Sequence, residues 1–141
     1  MSVLALDVGT KRIGVAISDP SESFALPLQV LERTNLRADI ERIVDLAREH
    51  QASEVVVGDP VRLSGARAEA SNSVDGFVSA LERRFTGKVH RVDERLTTAQ
   101  ATRALIDADV SRAKRKRIVD KVAASLILET FLSQRRNTAA Q

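Results

Sequence analysis

The sequence predicts an α/β domain built on one mixed β-sheet. Three observations carry this: two β-rich runs near the start joined by a short connection, later β-branched runs alternating with helical periodicity, and a length of 141 residues that suits one core. An apolar fraction of 43% and a charged fraction of 29% exclude a disordered chain and a collagen-like repeat. With no Cys, thiolate nucleophiles, Cys-bound zinc and iron–sulfur clusters are excluded as well. No window approaches the roughly 18 apolar residues of a membrane span. Asp7 also interrupts the first apolar run before a signal-like core can form. The expectation is a soluble, cytoplasmic protein with no membrane partner.

Val3 to Val8 and Arg12 to Ser18 read as strands paired antiparallel through Gly9-Thr10-Lys11, with the glycine available for positive φ. Phe24 to Leu31 contains Pro27, which cannot donate to a ladder, and is placed at a sheet edge. Leu36, Ile40, Ile43, Val44 and Ala47 repeat with helical spacing behind Thr34 and Asn35 as caps. Glu54 to Val57 is a short strand buried on both faces and ended by Gly58. Val74, Phe77, Val78 and Leu81 mark a second helix, entered through a Ser-, Gly- and Ala-rich segment from Leu63 to Ser73 that reads as a loop or helix entry. Lys88 to Val92 is a further strand. Ala101, Ala104, Leu105 and Ala108 predict a helix after Thr97 or Thr98. Val119, Val122, Ala123, Leu126, Ile127, Thr130 and Phe131 give a last apolar helix face. The order β-β-β-α-β-α-β-α-α predicts later strands that are parallel and covered by helices, in a single domain over 1–141 with a flexible tail from about 135.

Charge is uneven along the chain. From Ser111 onward there are eight basic and two acidic residues, while the first 110 residues hold fourteen basic and seventeen acidic ones. A basic stretch on an acidic body suits a phosphate-backbone binder, because each neutralised phosphate releases condensed counterions. A solvated helix face would look the same in sequence. Arg outnumbers Lys 17 to 5, which favours forked contacts to phosphate. All four aromatic residues are Phe, so a stacking platform for single-stranded bases is not expected.

Open sheets of this type gather ligands beyond the carboxyl ends of their parallel strands. Asp7 closes the first strand, Asp93 and Glu94 close the strand after Lys88, and Asp120 lies near the start of the last helix. A carboxylate at the end of an apolar strand is costly unless paired, hydrogen-bonded or metal-bound, although a turn-capping or ion-paired role would also account for Asp7. Converging carboxylates without Cys favour Mg²⁺ or Mn²⁺. Two such ions roughly 3.5–4 Å apart support phosphodiester cleavage. Other motifs fail. Gly9 and Gly14 have phosphate-loop spacing, but Val15-Ala16 stand where Lys and Ser or Thr are needed. His50 reads as a helix-terminal residue and His90 as packed within its strand.

Four segments together resemble the YqgF (RuvX) family of the RNase H-like superfamily: Leu4 to Ala16, Val55 to Pro60, Val92 to Thr98 and Val119 to Glu129. The resemblance implies an RNase H-like α/β fold, a five-stranded mixed sheet with helices on both faces. It also implies a metal-dependent nuclease whose catalytic and metal-binding residues are Asp7, Glu94 and Asp120, with Asp93 a further candidate ligand. It implies action near the 5′ end of pre-16S rRNA, and resolvase-like action on Holliday junctions. Asp59 departs from the family pattern, which has an apolar residue between the Gly and Pro of the second segment.

On this reading Lys11, Arg12, Arg95, Arg112, Lys114, Arg115, Lys116 and Arg117 orient backbone phosphates of pre-rRNA or branched DNA. A homodimer would supply two sites for a symmetric junction; Phe24, Leu26 and Leu28 on the edge strand suit an interface, though core packing is the more ordinary use of such residues. Two alternatives belong to other classes. One is a non-catalytic RNA-binding ribosome-assembly factor using the same basic face. The other is an ATP-dependent phosphotransferase module, since Asp7-Val8-Gly9-Thr10 also looks like a sugar-kinase or actin-like phosphate motif; such proteins clamp ATP between two domains.

Overall fold

β1 (Ser2–Val8) and β2 (Arg12–Ser18) form the antiparallel hairpin expected from the sequence, with Asp7 opposite Gly14 and Leu4 opposite Ile17. β3 (Ala25–Glu32) adds to the outer side of β2 and carries Pro27 at the sheet edge. After α1 (Leu36–Glu49), β4 (Ala52–Asp59) returns parallel to β1. Then α2 (Ala66–Arg84) leads to β5 (Lys88–Asp93), parallel to β4. The order is β3-β2-β1-β4-β5, one five-stranded mixed sheet. A last helix, α3 (Arg112–Ala140), crosses the sheet. The computed structural model describes residues 2–59, 66–93 and 112–140, with side chains described for 2–59, 74–93 and 122–138. The helix expected around Ala101 to Ala108 lies outside the described residues.

The strands alternate their side chains between two cores. Leu4, Leu6, Ile13, Val15, Val55 and Val57 face α1 and α2, packing with Ile40, Ile43, Phe77 and Leu81. Val3, Ala5, Ala16, Val56 and Val92 face α3, packing with Ala124, Ile127, Leu128 and Leu132. Val55, Val56 and Val57 are all fully buried, as a strand covered on both faces requires. Small residues on both sides of the second core, Ala5 and Ala16 beneath and Ala124 above, allow α3 to approach the sheet closely.

Local chemistry sets the element ends. Asn35 caps α1, its side-chain oxygen accepting from the Ala38 amide at 2.9 Å, and His50 is the C-cap residue. Gly9 is needed in the hairpin for a different reason from positive φ, which no described glycine adopts. A Cβ on Gly9 would lie 2.8 Å from the Arg12 carbonyl oxygen, which already accepts the Gly9 amide. α2 begins at Ala66, so most of the Ser-, Gly- and Ala-rich segment is helix entry. α3 continues through Ala140, where the sequence suggests a tail from about 135, and Arg135 is held by Glu22 and Glu54 at 2.8 Å each. None of the described helices is long and apolar enough to cross a membrane.

Candidate active site

Asp7 is 6% exposed and belongs to the α3 side of the sheet, in step with Val3 and Ala5. Its partner across the β1–β2 ladder is Gly14. On the other side, Leu6 pairs with Val57, so the next residue of β4 beside Asp7 is Gly58. A carboxylate near the carboxyl end of the central strand is thus bordered by two residues with no side chain.

α3 packs on the same face of the sheet, across β1, β2 and β3. Near its C-terminal end, Arg135 bonds Glu54, which sits level with Val3 at the amino end of the ladder. With a rise of about 1.5 Å per residue, the Asp120 backbone lies roughly 22 Å back along the axis, about the length of β1. Position 120 precedes Ala124 and Ile127 by four and seven residues, the stripe that packs on the sheet. Arg112, Lys114, Arg115, Lys116 and Arg117 occupy the first two turns of this helix, which has no acidic residue in its first turn. Cations there oppose the helix macrodipole. Helix stability does not explain them.

The other anticipated residues fall as follows. Glu94 and Arg95 lie outside the described residues. Asp93 is the ladder partner of Asp59 and, by alternation from Val92, belongs to the α1 and α2 face, opposite to that of Asp7. Lys11 is exposed in the hairpin turn, and Arg12 donates from Nε to Glu32 at 3.0 Å. Among the described residues no three acidic or histidine side chains form a cluster able to hold a metal. The side chain of Asp120 lies outside those described.

Asp59 belongs to the α2 side. Arg91 bonds it at 3.1 Å and bonds Asp75 of α2 at 2.6 Å, while the buried Asp59 Oδ1 has no hydrogen-bond partner among the described residues. This places Asp59 on the face of the sheet opposite that of Asp7.

Two residues that sequence reasoning passed over hold the hairpin turn. The Arg33 amide donates to the Lys11 carbonyl at 2.8 Å, and its Nη1 donates to the Gly9 carbonyl at 3.0 Å. Its Nε donates to Asp39 at 3.1 Å. Asp39 is fully buried and also accepts from Arg42 at 2.6 Å and from the Thr34 amide at 3.1 Å. Burial pushes the Asp39 carboxyl up, but these donors outweigh it and hold it below the ordinary range. In sequence Asp39 is only an acidic residue in the first turn of a helix, and nothing local links it to Gly9.

The element order, the sheet topology and helices on both faces define a single domain of RNase H-like fold. Thermus thermophilus RuvC in complex with a Holliday junction substrate aligns over 95% of this chain and 96% of its own, with TM-score 0.58 and 13% identity. The fowlpox virus Holliday junction resolvase aligns over 95% and 99%, with TM-score 0.54 and 16% identity. At such identities the likeness is one of fold. The chain belongs to the RuvX family, described as "Holliday junction resolvase", whose family model matches residues 1–134. A Desulforudis audaxviator relative is 41% identical over 137 residues, covering 97% of each chain. One from Thermoanaerobacter pseudethanolicus is 42% identical over 138 residues, covering 97% of this chain and 99% of its own. Both carry the name "Putative pre-16S rRNA nuclease".

Proposed function

We propose that this chain is a metal-dependent nuclease that hydrolyses phosphodiester bonds, with the 5′ region of pre-16S rRNA as its substrate. The observation that supports this best is the setting of Asp7: a buried carboxylate at the carboxyl edge of the sheet, bordered by Gly14 and Gly58, facing the side crossed by α3. The proposed donors are all carboxylate oxygens, a set that fits a hard divalent cation. Asp7, Glu94 and Asp120 would hold Mg²⁺ or Mn²⁺. Bound there, two such ions would activate water on one side of a phosphodiester and stabilise the leaving oxygen on the other.

The chain itself supplies binding and orientation. Lys11, Arg12 and Arg95 contact phosphates beside the acidic edge, and the basic first turns of α3 extend that contact along the polymer. Few aromatics and many arginines favour recognition of backbone and shape over recognition of bases. The names of the relatives support pre-rRNA as substrate, and the family description supports branched DNA as a second one.

The test is a metal-titrated cleavage assay on pre-16S leader RNA and on a four-way DNA junction, comparing wild type with Asp7→Asn. Wild type is expected to cleave the RNA only with Mg²⁺ or Mn²⁺, and Asp7→Asn to lose cleavage while keeping its circular dichroism spectrum. Undiminished cleavage by Asp7→Asn removes Asp7 from the site. Tight RNA binding without scission at any metal concentration selects the assembly-factor alternative.

A further inference from the structure

We infer that Arg33, locked by Asp39, is a positioning residue that sets the β1–β2 turn and with it the end of β1 on which Asp7 stands; this rests on the nuclease reading. The turn from Gly9 to Lys11 is short, and two of its carbonyls are captured by one residue. The Arg33 amide takes the Lys11 carbonyl, and the Arg33 guanidinium takes the Gly9 carbonyl. The Gly9 amide is already bonded to the Arg12 carbonyl, so both polar groups of Gly9 are fixed. Two residues before Gly9 is Asp7; two after it begins the pair Lys11 and Arg12.

The guanidinium is itself constrained. Asp39 holds Nε, and the Phe77 ring lies 5.7 Å from its central carbon. Asp39 is anchored in turn by Arg42 and the Thr34 amide at the start of α1. A planar fork can bond Asp39 with one nitrogen and Gly9 with another at fixed geometry, which a Lys ammonium cannot do. The cluster contains two guanidinium groups and one carboxylate, so the carbonyls of Gly9 and Glu32 take up donors that Asp39 alone would leave unmatched. Sub-ångström placement of reacting groups is what such a clamp supplies, and a shift of about 1 Å can cost on the order of a hundredfold in rate.

The experiment compares full-length wild type, Arg33→Lys, Arg33→Met, Asp39→Asn and Arg48→Gln. Single-turnover cleavage of pre-16S leader RNA is measured at saturating RNA. Amide exchange is measured at Gly9 and at Ile43, the latter as a report on global opening. Arg33→Lys and Arg33→Met are each expected to lose at least about tenfold in cleavage rate and to speed exchange at Gly9 while Ile43 stays at its wild-type rate. Asp39→Asn should lose cleavage as Arg33→Met does, while its lower stability speeds exchange at Ile43 as well, and Arg48→Gln should match wild type. Wild-type cleavage rates in the Arg33 variants overturn the inference and leave the nuclease reading standing. Equal acceleration at Gly9 and Ile43 in the Arg33 variants also overturns it, since that is loss of stability alone. A wild type that never cleaves defeats the nuclease reading and this inference with it.

Discussion

Asp59 and Arg91 pair across neighbouring strands, Nη2 to Oδ2 at 3.1 Å, on the side of the sheet opposite that of Asp7. Arg91 extends the contact to Asp75 of α2, so Asp59 helps to fasten β4, β5 and α2 together. The carboxylate that departs from the family pattern is therefore committed to a structural contact. Asp59→Val should leave the Mg²⁺ concentration for half-maximal cleavage within about twofold of wild type. Its stability should change by no more than about 1 kcal/mol, because a partly exposed pair contributes little and Arg91 keeps Asp75. A marked change in metal requirement, read from the same titration, would bring Asp59 into the site.

Gly14 faces Asp7 across the ladder, and its lack of a side chain has a direct consequence. Gly14→Val fills the space beside the carboxylate with a β-branched group that suits a strand. We expect loss of cleavage by at least about tenfold and loss of the thermal stabilisation expected of Mn²⁺ on the wild type. Both are measurable, by assay and by melting with and without the ion. A variant that melts as wild type does with Mn²⁺ would show that the space beside Asp7 holds no cation.

Periodic signals were legible, and long-range partners were not. The spacing of Ile40, Ile43 and Val44 and the Asn35 cap identify α1 because helix period and capping are local. Pro27 marks an edge strand for an equally local reason, its missing amide donor. Asp7 could be singled out as an acid after an apolar run, but its glycine neighbours emerge only from strand register. Arg91 meets Asp59 across 32 residues, Arg33 meets Gly9 across 24, and Arg135 meets Glu54 across 81; nothing in local sequence encodes those pairs. His90, expected simply to pack in its strand, also bonds Glu54 at 2.9 Å and lies against the Phe131 ring at 4.9 Å.

The basic first turns of α3 should act on affinity without setting sequence preference. Arg115→Gln together with Arg117→Gln should weaken RNA binding uniformly across sequences. For every phosphate that goes unneutralised, the slope of log affinity against log salt should flatten by roughly 0.7–0.9. Filter binding between about 50 and 200 mM salt reads this slope directly. An unchanged slope would mean that these residues do not touch the polymer.

Acid should loosen the anchor of α3. Glu54 accepts from Arg135 and from His90, and the Arg135 bond above all holds its carboxyl below the ordinary value, against the opposing effect of burial. A carboxylate with a depressed native pKa contributes stability that is fully present above its unfolded value of about 4.3 and is lost as pH falls through the lower native one. Asp39 behaves in the same sense, since its pKa is lowered too. Stability from urea unfolding should therefore be flat from pH 7 to about 5 as far as these groups are concerned, then fall below about pH 4. Glu54→Gln should lower the plateau by about 1–2 kcal/mol and make the acid side shallower, because a charge-assisted bond is replaced by weaker neutral ones. Asp39→Asn should cost more, about 3–5 kcal/mol, since two guanidinium groups then lose their buried counter-charge. If both variants retain the full acid dependence of the wild type, the proton-linked loss of stability resides in other carboxylates and these two anchors are not what acid releases.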